Sequence, residues 1–248
     1  MNWMKKVAVA LVCLLPLGLQ AAKIDTLQVK SPSMNKSIEV VVVSPDVAAT
    51  KACPVIYLLH GYGGNACTWV GIKPDLPKIA DEKGIFFVCP DGKNTWYWDS
   101  PLNADVRYET FISNELVKYV DSHYKTVADR KGRAITGLSM GGHGAMWNGL
   151  RHSDVFSAAG STSGGVDIRP FPKNWEMSVQ IGEKAKYPEN WEKYTVINLV
   201  PTLRKDQIAL IFDCGDSDFF LEVNKNYHEA LLKQGICLLY TSDAADEL

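Results

Sequence analysis

The sequence is short of several things, and each shortage excludes a class of protein. Charge of one sign is missing: 26 Lys and Arg stand against 28 Asp and Glu, a net of −2, so no basic field marks a nucleic-acid binder. After the N-terminus no apolar run is long enough for a membrane-spanning helix. The six cysteines are scattered as Cys13, Cys53, Cys67, Cys89, Cys214 and Cys237, with neither a disulfide framework nor a C-x-x-C metal pattern; Cys13 falls in the N-terminal apolar stretch, and the others read as buried thiols. Internal repeats and low-complexity tracts are absent, so one domain suffices for 248 residues. No ligand cluster calls for a metal or an organic cofactor. Histidine is sparse, with five in the chain, and this scarcity returns below.

The first residues are a targeting pattern. Lys5 and Lys6 form a basic start, Val7 to Leu19 an apolar stretch broken by Pro16, and Gln20-Ala21-Ala22 a small-residue cleavage site. Residues 1–22 are therefore expected to be a signal peptide, and the mature protein secreted or periplasmic, without stable membrane insertion after cleavage.

The centre of the chain is Gly137-Leu138-Ser139-Met140-Gly141. Arg133 to Thr136 upstream reads as a strand, and Gly142 onward opens a helix to about His152. A G-x-S-x-G run between strand and helix is the context of a nucleophile elbow, a strained turn that lifts a serine hydroxyl above the sheet edge. Gly141, Gly142 and Gly144 let the helix pack closely behind it.

Around this turn the remaining elements alternate. Ile24–Val29 and Ser37–Val43 read as the first strands, the second strongly β-branched. Cys53–Leu59, Ile85–Cys89, Phe156–Thr162 and Gln207–Phe212 read as strands, the continuous apolar ones buried on both faces. Helices are expected over Asp75–Glu82, Tyr108–Tyr124 and Leu221–Lys233. The first buried strand ends in His60-Gly61-Tyr62-Gly63-Gly64, whose backbone amides can face a substrate oxygen. Trp96, Tyr97 and Trp98 either line a cleft or plug the core. Residues 164–206 lack strand alternation and are expected to be an insertion over the cleft, lid-like or merely packed. The last buried strand ends with three carboxylates, Asp213, Asp216 and Asp218, at the edge where open α/β sheets place their chemistry.

Taken in order, His-Gly-Tyr-Gly-Gly, the Trp-rich loop, Gly-Leu-Ser-Met-Gly-Gly and Asp-Cys-Gly-Asp-Ser-Asp-Phe-Phe resemble the esterase D family, with its feruloyl and acetyl esterases, S-formylglutathione hydrolases and mycolyltransferases. The resemblance covers about Lys23 to Ile236. It implies an α/β-hydrolase fold, a mostly parallel central sheet with helices on both faces. It implies Ser139 as nucleophile of an acyl-enzyme, the Tyr62 and Met140 amides as oxyanion hole, and Asp218 as the acid that orients a triad histidine. Asp216 is the rival acid, and Asp213 the support of its loop. The expected substrate is a small-molecule or oligosaccharide ester, an acetyl or feruloyl group on plant polysaccharide. An S-formylglutathione hydrolase, an acyltransferase and a non-catalytic carbohydrate-binding module of the same fold stay open.

The superfamily order is Ser, acid, His. Only His228 follows Asp218, and it lies within the helix only ten positions on, where it reads as a solvated helix residue. His143 falls behind the elbow, and His60 can brace the oxyanion loop. No general base is evident. The stretch Cys237 to Glu247 resembles a translated sequencing adapter, so residues 237–248 are expected to be artificial and the catalytic domain, residues 23–236, to stop short of its histidine. The chain as given is then expected to be impaired.

Overall fold

A computed structural model describes residues 22–241. Most of the signal-peptide reading and the far end of the tail reading, residues 242–248, lie outside the described residues. Eight strands form one sheet: β1 (Lys23–Ser31), β2 (Lys36–Ser44), β3 (Val55–Leu59), β4 (Phe86–Pro90), β5 (Arg133–Gly137), β6 (Ala158–Thr162), β7 (Ala209–Asp213) and β8 (Leu238–Thr241). Their order is β1-β2-β4-β3-β5-β6-β7-β8. The hairpin β1–β2 and the β2–β4 pair are antiparallel, and every pair from β4–β3 onward is parallel. The helices are α1 (Thr68–Ile72), α2 (Leu76–Lys83), α3 (Tyr108–Thr110), α4 (Val117–His123), α5 (Met140–Arg151), α6 (Met177–Ile181), α7 (Pro188–Lys193) and α8 (Leu221–Lys233).

The central strands are apolar throughout because both of their faces are covered. Val40 and Val42 of β2, Tyr57 and Leu59 of β3, and Phe86 and Val88 of β4 enter one core with α4, α5 and α8. Their neighbours Val41, Val43, Leu58, Phe87 and Cys89 enter a second core with Leu76 and Ala80 of α2. The period-2 alternation of side chains thus divides one apolar run between two layers. The β7–β8 end differs. Leu210 and Phe212 are buried, whereas Ile211 and its partner Leu239 are 54% and 67% exposed, so this end is covered on one face among the described residues.

Two expectations need correction, and one open reading is decided. The helix over Tyr108–Tyr124 is not uniform: Phe111–Leu116 is a π-turn between α3 and α4. Ser113 Oγ donates to the Glu109 carbonyl at 2.6 Å, and a hydroxyl that takes a helical carbonyl loosens the regular ladder there. The Trp96–Trp98 loop, left open between cleft lining and core, is core: all three rings are buried. Tyr97 is wedged between the β4 loop and α5, and a Cβ at either Gly92 or Gly144 would fall inside its ring. The cysteines are only partly buried thiols, since Cys67 and Cys237 are exposed.

The insertion, residues 164–206, carries α6, α7 and a 3-10 stretch (Val196–Thr202) and no strand. Val166, Ile168, Met177, Ile181, Trp191 and Val196 are buried in the main core, so this stretch is packed structure.

Candidate active site

The parallel strands β5, β6 and β7 deliver their C-terminal ends to one edge, and the expected residues lie there. Ser139 directly follows Leu138, which bridges to Thr162 at the end of β6. Its backbone is left-handed, φ 57 and ψ −115, in a region that side chains rarely enter. The turn is held because Ser139 N–H donates to the Thr162 carbonyl at 2.8 Å and the Ser139 carbonyl accepts from His143 N–H at 3.0 Å. Two glycines permit it. A Cβ on Gly137 would run into the backbone of Gly141, and one on Gly141 into the Leu59 carbonyl. Ser139 itself is half-buried, so its hydroxyl is not sealed in the core.

Gly61 faces this serine closely: a methyl placed on it would lie 3.6 Å from Ser139 Cβ. The loop that carries the Tyr62 amide therefore meets the elbow. Met140 opens α5, a twelve-residue helix whose first amides lack intrahelical partners and whose dipole favours negative charge there. Neither the Tyr62 nor the Met140 amide finds an acceptor among the described residues. His60 braces the loop. Its Nε2 accepts from Gly92 N–H at 2.9 Å, which leaves Nδ1 to donate to the Gly61 carbonyl at 2.7 Å.

The acids separate by environment. Asp218 is half-buried, and one carboxylate oxygen accepts from Phe220 N–H at 2.7 Å at the start of α8. Asp216 is exposed. Asp213 accepts from Thr162 Oγ1 at 3.2 Å, and its pKa is raised by burial, partly countered by that hydroxyl. It joins the ends of β6 and β7, which is a supporting role.

The described imidazoles have partners other than the serine. His143 is buried, with Nε2 accepting from Trp98 Nε1 at 2.8 Å and Nδ1 donating to the Gly165 carbonyl at 2.8 Å. Burial brings its pKa down to about 4, with the Gly165 carbonyl partly opposing. His152 bonds Glu109, and His123 bonds the Tyr119 carbonyl. His228 is not the freely solvated residue its helix position suggested: its ring packs on Tyr240, centroids 4.6 Å apart.

The rim of the site comes from residues that local pattern did not mark. Trp175 and Phe219 stack with centroids 5.2 Å apart, and Phe219 is 61% exposed beside Asp218. Asn94 Oδ1 accepts from Gly63 N–H at 2.9 Å, and Asn94 Nδ2 donates to Glu176 Oε2 at 3.3 Å. The Tyr62 phenol has its pKa raised by partial desolvation and then by the Glu176 carboxylate beside it. Trp175 and Glu176 sit 36 and 37 positions after Ser139 inside an insertion without periodicity, and only the folded chain brings them here.

A family model described as "Putative esterase" matches residues 31–234. The chain belongs to the Esterase family. The esterase is 26% identical over 206 residues to an acetyl esterase of Caldicellulosiruptor saccharolyticus, covering 76% of this chain and 74% of that one. Among solved structures it is similar to a ferulic acid esterase, with TM-score 0.74, 28% identity and coverage of 90% and 91%. It also shares its fold with an S-formylglutathione hydrolase from Agrobacterium tumefaciens, with TM-score 0.76, 22% identity and coverage of 90% and 87%. The esterase is a carboxylic ester hydrolase of α/β-hydrolase fold.

Proposed function

We propose that the esterase is an exported serine hydrolase that removes acetyl or feruloyl groups from plant polysaccharide or its fragments through an acyl-enzyme. The observation that carries this reading is Ser139 on its left-handed bend, half-exposed and set against the Gly61–Tyr62 loop at the start of α5. Ser139 Oγ attacks the ester carbonyl, the alcohol leaves, and water then releases the acid. The oxygen that becomes negative is stabilised by the Tyr62 and Met140 amides, each contributing about 2.7–4 kcal/mol in comparable sites. Asp218 orients the imidazole that takes the serine proton. No described imidazole hydrogen-bonds Ser139, so in this reading the base belongs to a stretch that the described residues do not contain. The N-terminal targeting pattern supports export, and the aromatic pair Trp175–Phe219 supports a ring-bearing acyl or sugar partner.

The test is hydrolysis of 4-nitrophenyl acetate by this chain and by a version extended from an intact gene. The extended form is expected to be faster by at least about 10³-fold, and Ser139→Ala in it to abolish the gain. Equal rates in the two forms overturn the missing-base reading. An undiminished rate in the Ser139→Ala form overturns the nucleophile.

A further inference from the structure

We propose that Asn94 is a positioning residue for the ester reaction: its carboxamide fixes the direction of the Tyr62 amide by holding the Gly63 amide, from an anchor on Glu176. The inference rests on the serine-hydrolase reading above and deepens it.

The Tyr62 N–H belongs to the same planar peptide as the Gly61 carbonyl, and in a trans peptide the two point in opposite directions. The carbonyl side of that plane is held by His60 Nδ1 at 2.7 Å and by Gly64 N–H at 3.0 Å. The far end of the turn is less constrained. Gly63 has φ +77, and a Cβ built on it would meet nothing within 4 Å, so no side chain packs against this residue, whereas Thr68 and His60 close on Gly64. The restraint there is the 2.9 Å bond from Gly63 N–H to Asn94 Oδ1.

Asn94 is itself held. Its Nδ2 donates to Glu176 Oε2 at 3.3 Å, and two positions on, Trp96 Nε1 donates to the Trp175 carbonyl at 3.1 Å. These two ties join the β4 loop to the insertion. Both joined segments carry left-handed backbone at side chains that avoid it: Lys93 at φ 50, Trp96 at φ 58, Trp175 at φ 48 and Glu176 at φ 53. Such strain persists only where the surroundings over-determine the conformation. The position also asks for one acceptor and one donor on a single short planar group, which asparagine supplies. Aspartate would keep the acceptor for Gly63 and turn a second carboxylate oxygen towards Glu176.

The probe is phenylboronic acid, which does not require turnover. Its trigonal boron takes the Ser139 oxygen, the hydroxyl proton leaves to solvent, and a boron hydroxyl of the tetrahedral anion occupies the place of the ester oxyanion. At neutral pH, where free phenylboronic acid stays trigonal, boron-11 NMR of this chain is expected to show a tetrahedral signal that S139A lacks. N94A is expected to weaken the affinity about tenfold, a fraction of what loss of a whole oxyanion donor costs, with little change in melting temperature. N94D is expected to weaken it similarly, and N94D/E176Q to regain most of it, because an amide at 176 restores a donor against the new carboxylate. Hydrogen exchange at the Gly63 amide should quicken in N94A. If exchange quickens while boronate affinity stays within twofold, Asn94 holds the loop without aiming it and the proposal fails. A double variant as weak as N94D overturns the Glu176 anchor. Absence of the signal in the parent chain, or its survival in S139A, overturns the serine reading and this inference with it.

Discussion

At Ser139 the backbone carries strain that a side chain makes worse, since φ 57 with ψ −115 is natural only to glycine. Strain of this kind is worth about 1–3 kcal/mol, and glycine's extra unfolded-state entropy takes back part of it. Ser139→Gly is therefore expected to raise stability by about 1 kcal/mol in urea unfolding while removing the hydroxyl. A loss of stability would mean that the bend is relaxed in solution. His143 yields a second expectation. Burial holds its pKa to about 4 in the folded state, against about 6.5 when unfolded. The folded state then binds fewer protons between these values, so stability is full above pH 6.5 and falls as pH drops towards 4, by about 3 kcal/mol in all. Proton NMR of its ring should show no inflection near pH 6.5, and urea midpoints should fall across that window.

Helix α5 shows how an element is fitted to a site. Its first turn must approach the end of β3 so closely that Gly141 has the Leu59 carbonyl where a Cβ would go, and Gly144 has the Tyr97 ring. Gly141→Ala meets backbone that cannot swing aside and is expected to lower stability by about 3 kcal/mol, at the severe end of overpacking. Gly142→Ala meets the Ser161 hydroxyl, a side chain that can turn, and is expected to be milder. Thermal melts of the two variants rank them. The G-x-S-x-G spacing made this turn legible in the sequence, because its steric demands are local. The fate of Trp96–Trp98 was not legible: aromatic residues after a strand suit a cleft and a core equally, and Tyr97 was committed to the core only when Gly92 and Gly144 closed on it. The π-turn at Phe111–Leu116 was hidden for a related reason, since apolar spacing does not reveal a hydroxyl that captures a carbonyl.

Across the whole molecule, Glu109 ties the start of α3 to the end of α5. It is buried, and it accepts from Trp147 Nε1, Arg151 Nε and His152 Nε2, each at 2.8 Å. Burial alone would raise its pKa, but the bonds from His152, Arg151 and Trp147 outweigh burial and lower it. Its contribution is present above the usual carboxylate range and lost as pH falls below it. Glu109→Ala is expected to cost about 3 kcal/mol at pH 7 and to leave a shallower acid limb below pH 4.5, checked by urea midpoints against pH. Near the β8 edge of the sheet, Ile211→Thr is expected to change stability by less than about 0.5 kcal/mol, because that face of β7 is open. The sequence by itself determined the alternation of strands and helices and the serine turn, since these follow from side-chain period and from sterics within a few residues, while its motifs, through their resemblance to a known family, implied the fold class. Only the tertiary structure decided which strands neighbour one another, that Gly61 stands against Ser139, that His143 is spent on Trp98, and that Asn94 meets Glu176. Those facts depend on contacts between residues dozens of positions apart, and no local pattern of residue types encodes them.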